Sequence, residues 1–399
     1  EERNIRTPRD DFRSCLLNAA LQFYYRPDAT HGYLLAGYPW FGVRARDLFI
    51  ALPGCTIYAD APERFYRIMD TVLPDMRAFM RQEGISKEIR NINEGDIGLW
   101  AIWTLQEYAR WSSLPDMVSR YGDFLDELIH YYLRNVHPNL RIDDNGLCVM
   151  TGDGRPLSWM DAKVNGQAVV RREGYLVEVN ALWYNALCFY REALPQKWTP
   201  ELEELLGRVQ QSFCDTFINQ NGYLFDYVHP HSSWRDWSVR PNMVFATSLP
   251  YSPLPKATRR SVLEIITREL RTPKGLRSLS PKSDGYQPQC HGTQWQREQS
   301  YYNGSVWPWL LGPYFEACIK LYGRSAISFI ENTLIGMEEE LQQHGVGTVS
   351  ELFDGNPPFK GRGAISFAMS VGELLRSLAL LEEAKSKYDT QILPIIRYE

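Results

Sequence analysis

The chain has 399 residues, of which 44% are hydrophobic and 13% aromatic, enough apolar material for a large buried core. Its 43 basic against 48 acidic residues leave a formal charge of −5. That balance argues against nucleic acid as the main partner, because a phosphate footprint needs a basic excess. No run approaches 18 consecutive apolar residues and no charged-then-apolar leader opens the chain, so neither a membrane span nor a targeting segment is expected. The start at Glu1-Glu2, with no Met, is expected of a processed product or of a cut from something longer.

Helical periodicity recurs from end to end. Asp10 and Asp11 sit in a first turn, followed on one stripe by Phe12, Cys15, Leu16, Ala19, Ala20 and Phe23. Ala36-Gly37-Tyr38-Pro39-Trp40-Phe41 then leads to Arg46-Asp47, where side-by-side donors and acceptors could fork onto neighbouring sugar hydroxyls or form an ion pair beside a helix start. Phe65, Ile68, Met69, Val72, Met76 and Phe79 repeat the helical spacing, and helices are expected over about 95–111 and 114–135. Asp96, Trp100 and Trp103 share a face of the first of these, a pattern that reads mainly as buried packing. Ile142 to Met150, around Asn145-Gly146, reads as a small β-hairpin.

Ser158-Trp159-Met160-Asp161 closes a Gly-rich segment, with Lys163 just behind, and a helix is expected over 176–192. Thr199-Pro200 is an N-cap with proline at the first helical position, opening Leu202, Leu205, Leu206, Val209, Phe213 and Phe217. Further helices are expected over 256–270 and 304–322, the latter opened by Tyr301-Tyr302-Asn303-Gly304-Ser305-Val306-Trp307-Pro308-Trp309, whose aromatics are core or a sugar platform. Ile327, Ile330, Leu334, Met337 and Leu341 step by three and four. Ser350-Glu351-Leu352-Phe353-Asp354-Gly355 forms a Gly/Pro loop before a last helix over 364–383.

The helix count approaches a dozen, strand signals are few, and no βαβ alternation or 20–50-residue repeat is present, which removes doubly wound, TIM-type and solenoid folds. Three long loops, about 141–175, 219–242 and 271–302, are too rich in aromatics to read as disordered and read as functional. An all-α toroid of paired helices with its loops at one end, forming one domain over residues 1–399, fits this pattern.

Chemistry narrows by elimination. The seven cysteines are widely spaced and odd in number, which suits reduced, mostly buried thiols in a cytoplasmic protein rather than a disulfide scaffold or a CxxC site. The histidines lack HxxxH and HExxH spacing, and His229 and His231 read as a solvated loop pair, so no metal site is expected. Neither a phosphate loop nor a GxSxG elbow is present. Loop carboxylates and aromatics remain, and a pair of carboxyl groups across a sugar cleft is what glycoside hydrolysis needs.

Taken in order, AGYPWF…RD (36–47) with FIALPG (49–54), SWMDAK (158–163), VEVNALWYNAL (177–187), GYLFDYV (222–228), VRPNMVFATSLP (239–250), TPKGLRSLSP (272–281), YYNGSVWPWLLGPYFEA (301–317) and SELFDG…RGAISFA (350–368) resemble the glucosidase domain of bacterial and archaeal glycogen debranching enzymes. The resemblance spans nearly the whole chain. It implies an (α/α)6 barrel with its active site in the loops at one end. It also implies hydrolysis, with inversion, of the single α-1,6-linked glucose left on a trimmed branch of glycogen or a related glucan, without a cofactor. By position, Asp161 would be the general acid, with a raised pKa, and Glu351 the general base, staying ionised. Arg46 and Asp47 would hold the terminal glucose, Trp40, Trp159 and Trp307 would wall its site, and Asn303 or Glu178 would add hydrogen bonds. Arg44-Ala45 stands where the family usually has Trp-Gly, and Met369 where it usually has a Trp, so substrate fit is where this chain is expected to differ. The N-terminal β-rich domain usual in such enzymes is not found in this chain, and no transferase activity is implied.

Overall fold

The computed structural model describes residues 11–389. Asp10, expected in the first helical turn, lies outside the described residues, as do the other residues of the two chain ends. In chain order the helices are α1 (Phe12–Phe23), α2 (Ala45–Cys55), α3 (Pro62–Met80), α4 (Ile97–Trp111), α5 (Leu114–Leu133), α6 (Val177–Ala193) and α7 (Pro200–Phe217). They continue with α8 (Phe245–Ser248), α9 (Lys256–Glu269), α10 (Gln294–Tyr301), α11 (Leu311–Tyr322), α12 (Ile327–Met337) and α13 (Ala368–Asp389).

Packing sorts them into two rings. α2 packs on α4, α4 on α6, α6 on α8, α8 on α11, α11 on α13, and α13 returns to α2, so six helices close an inner ring. Around it lie α1, α3, α5, α7, α9 and α12, each preceding its inner partner in the chain. This is an (α/α)6 barrel of the all-α class, and α10 lies in one of its loops. The sequence explains the sorting. Every residue of α2 is buried, as is almost all of α6, because a helix apolar on all sides is stable only inside. Helix α3 instead buries a stripe, Phe65, Ile68, Met69, Val72 and Met76, and α7 buries Leu202, Leu205, Leu206, Val209, Phe213 and Phe217. The expected N-cap at Thr199 forms, accepting from Leu202 N at 3.4 Å, while Asp11, expected within the first turn, is itself the N-cap and accepts from Ser14 N at 2.7 Å. Helices α2 and α13 touch backbone to backbone: a Cβ on Gly54 would lie 1.9 Å from the Gly372 carbonyl oxygen. Among the described residues no helix is long and apolar enough to cross a membrane.

The hairpin forms with Leu140–Ile142 antiparallel to Cys148–Met150. Other boundaries differ from the sequence expectation. The helix expected over 304–322 starts only at Leu311, because Val306–Trp307 is a strand and Pro308–Leu310 a 3₁₀ turn. The last helix starts at Ala368, since Ser366–Phe367 pairs with Gly37–Tyr38. The apolar series to Leu341 leaves α-geometry after Met337, and Glu338–Gln342 is a 3₁₀ turn. One sheet was not anticipated: Arg271–Thr272, Gly275–Arg277, Val306–Trp307, Leu352–Phe353 and Gly361–Arg362 form five antiparallel strands in that order. Strands of two or three residues are too short to show a period-two pattern. This sheet carries Trp307 and the residue after Glu351.

Candidate active site

The long loops lead into the N-terminal ends of the inner helices, so Arg44, Asp96, Glu178, Trp307 and Phe367 all sit near where an inner helix begins. Between these loops lies a cleft of about 850 Å³, with Trp40 and Phe41 on one side and Tyr301 and Glu298 among its other walls. At its floor Asp161 and Glu351 also line a narrow recess of about 20 Å³. The recess has room for about one water. Its walls include Trp159, Trp307, Phe367 and Met369, with Arg44, Arg46, Asp47 and Tyr302.

Asp161 is positioned by the residues just before it. Trp159 is buried, donates from Nε1 to Asn242 Oδ1 at 2.6 Å, and meets Tyr302, Trp307 and Trp309 edge-on with ring centroids 5.2–5.3 Å apart. Ser158 accepts from Arg172. The carboxylate of Asp161 accepts from Tyr302 Oη at 2.9 Å and is ion-paired with Arg44. Tyr302 in turn stacks on Trp307, with ring planes 3° apart.

Glu351 is buried beside the five-stranded sheet. Its backbone N–H donates to Ala364 O, and its Oε2 accepts from Ala364 N at 2.8 Å. Gly363, at φ +67°, makes room for that carboxyl, since a Cβ there would sit 2.2 Å from Oε2. Burial pushes the Glu351 carboxyl up to about 8; the Ala364 N–H and Arg44 pull it down less, while Asp47 and Asp161 add repulsion. Glu351, expected to stay ionised as the base, is thus held toward its neutral form.

The expected sugar-holding residues divide. Asp47 lines the recess with its carboxyl 3.2 Å from Arg44 Nε, and burial raises its pKa. Arg46 also reaches the recess, but its Nε and Nη2 donate to Asp96 at 2.8 and 2.7 Å, and Nη2 also to Glu94. Those two nitrogens are committed to acids. Trp40 is 59% exposed at the cleft rim, whereas Trp159 and Trp307 are recess walls.

Two of the expected residues lie elsewhere. Glu178 lines neither the cleft nor the recess: it is buried under a two-pronged pair with Arg172, which also binds Asp226 at 2.6 Å. Asn303 likewise lies outside both, accepting from Arg240 at 3.0 Å and donating to Gln299 O. Both belong to motifs whose polar residues hold loops in place, and sequence spacing cannot tell a bracing acid from a substrate-facing one. Residues the sequence reading did not single out also line the cleft: Arg90, Asn93, Glu94, Arg155 and Glu298. They are isolated polar residues without a motif, Glu298 on α10 and the others in loops. Burial and the charge of Asp161 raise the Glu298 carboxyl. His229 and His231 have ring centroids 6.2 Å apart, and among the described residues no cluster of three or more His, Cys, Asp or Glu is placed to hold a metal.

Among solved structures, the mannosylglycerate hydrolase of Thermus thermophilus, of glycoside hydrolase class GH63 and in complex with Tris and D-glycerate, superposes with a TM-score of 0.64 at 13% identity, covering 93% of this chain and 100% of that one. An uncharacterized conserved protein of the same organism gives 0.64 at 14% identity over 92% and 99%. A wild-type glycosidase gives 0.55 at 13% over 93% and 97%. At such identity these similarities establish the fold. No curated protein sequence matches the chain. The sequence model of the family described as Amylo-alpha-1,6-glucosidase matches residues 18–376. The chain belongs to the amylo-alpha-1,6-glucosidase family and is a glycoside hydrolase.

Proposed function

We propose that the chain removes single α-1,6-linked glucose residues from branch stubs of glycogen or a related glucan, with inversion at the anomeric carbon. The observation that carries this reading is the meeting of Asp161 and Glu351, from two separate loops, on one aromatic-walled recess at the cleft floor. Asp161 gives a proton to the glycosidic oxygen as the C1–O bond breaks. Glu351 takes a proton from the water that attacks C1 from the opposite face, a geometry that requires a gap of about 6.5–9.5 Å between the carboxyls. Asp47 holds the sugar's outer hydroxyls, and Trp159 and Trp307 lie against its C–H faces. The chemistry is proton transfer and water positioning, with no cofactor. The chain acts as one barrel domain spanning residues 1–399, and its free cysteines suit a cytoplasmic setting.

Free glucose released from phosphorylase-trimmed glycogen, with linear maltooligosaccharide as control, tests the reading. Asp161→Asn and Glu351→Gln should each lower the rate by about 10²–10⁴-fold. Variants within tenfold of wild type would refute the assignment. A second reading, a glycosidase of this fold with a different linkage preference, draws on Arg44 and Met369, which replace family-typical residues and both line the recess. Faster cleavage of trehalose or maltose than of isomaltose would favour it.

A further inference from the structure

Arg44 occupies the ground a hexose needs. Its guanidinium is ion-paired with Asp161, lies 3.2 Å from Asp47 through Nε, and sits 5.3 Å over the Phe41 ring, with only 20% of the side chain exposed. The recess left beside it holds about one water, far less than a sugar ring. A ring seated between the Trp159 and Trp307 walls and the two carboxyls therefore has to displace this guanidinium. Moving it off Asp161 leaves a cation stripped of one partner in a mostly enclosed site, which is unfavourable unless another anion receives it.

The cleft above is electrostatically suited to bring that anion. Arg90, Arg155 and Lys163 line it, are exposed, and among the described residues form no ion pair. The acids that could offset them are otherwise engaged. Glu94 is paired with Arg46, Asp161 with Arg44, and burial favours the neutral forms of Glu298 and Glu351.

We infer that Arg44 is a substrate-displaced latch on Asp161, and that the leaving group carries a carboxylate or phosphate which takes over the guanidinium and frees Asp161 for catalysis. The inference rests on Asp161 being the general acid. Once Arg44 is drawn off, one proton passes from Glu351 to Asp161 through the water-sized recess, with no change in net charge. That transfer leaves an acid and a base in the arrangement inversion needs. Plain limit dextrin is then a slower substrate than a glucan segment bearing an acidic group.

Three probes share the same terminal glucose and α-1,6 bond: isomaltose, its aldonic acid (a carboxylate on the leaving side), and isomaltose 1-phosphate. Wild type should cleave at least one acidic probe with kcat/KM about tenfold or more above isomaltose. The two acidic arms separate carboxylate from phosphate as the source of the charge. Arg44→Gln should abolish the preference and raise kcat on isomaltose, a gain that simple loss of structure would not produce. Arg44→Lys keeps a charge without the fork, retains part of the preference, and guards against a misfolded Gln variant. Equal rates on all three probes, or an acidic preference that survives Arg44→Gln, would overturn the latch while leaving the glucosidase reading intact. No cleavage of any probe or of trimmed glycogen would overturn both.

Discussion

Glu351→Gln separates the electrostatic burden of the buried carboxyl from its chemistry. The unfolded Glu351 releases its proton near 4.5, whereas the folded one holds it until about 8. Between those values the folded state binds more protons than the unfolded state, so wild-type stability falls as pH rises through that window. At about 1.4 kcal/mol per pH unit, the interval amounts to about 3–5 kcal/mol once partial relaxation around the carboxyl is allowed. Glutamine is neutral at every pH, keeps the shape, and retains an oxygen to accept from Ala364 N, so the variant lacks this slope. With about 2.1 cal/mol/K of unfolding entropy per residue, 399 residues convert that difference into a Tm gap of about 4–6 °C. Scanning calorimetry should therefore find the two proteins nearly equal at pH 5 and Glu351→Gln more heat-stable at pH 9, while its activity is lost at both. Parallel Tm profiles would show that Glu351 is ionised in the folded enzyme at neutral pH and refute the electrostatic account of the site.

Gly363→Ala should abolish most activity, because its Cβ would lie 2.2 Å from Glu351 Oε2 at a φ of +67°; the Tm should fall by a few degrees, and kcat more than KM should report the loss. Arg376 is buried inside the barrel with Glu373 at 2.9 Å and Glu316 at 2.8 Å. Arg376→Met strands these acids and should destabilise by about 3–5 kcal/mol, measured by denaturant unfolding. The loss should grow as pH rises through about 7, where Glu373 gives up its proton. Arg172→Met, which strands Glu178 and Asp226, should be similarly destabilising even though it touches neither cleft nor recess; full stability at neutral pH would show that this cluster is not bracing the Asp161 loop.

The toroid was legible from about a dozen helical patterns separated by long loops, and its six-fold form from the family resemblance; the sorting of striped helices such as α3 and α7 outside an almost wholly buried α6 emerges only in the structure. Asp161 and Glu351 were singled out through motif resemblance, not through spacing, since they are 190 positions apart and reach one recess only when the ring closes. The five-stranded sheet was hidden because its strands are two or three residues long and are defined by partners distant in the chain, such as Val306 opposite Phe353. That Glu178 and Asn303 lie outside cleft and recess was hidden for a related reason. A motif marks a residue as part of the site's machinery, but only burial and partners distinguish Glu178 locked to Arg172 from Glu351 facing the recess.

A common electrostatic plan underlies both groups. Asp47 and Glu178 lie in the first turns of α2 and α6, and Asp96 stands at the N-cap position of α4, so all three lie at the positive ends of inner helices. Each acid also has an arginine close by: Asp96 with Arg46, Glu178 with Arg172, and Asp47 with Arg44. Two of these arginines are almost wholly enclosed, with side-chain exposure of 3% for Arg46 and 2% for Arg172, and they bind the equally buried Asp96 and Glu178. Arg44 differs in being 20% exposed, lining both cleft and recess, and reaching the proposed general acid. The same acid–arginine pairing that makes the loop end of the barrel rigid becomes, at this one position open to solvent, the contact a substrate has to replace.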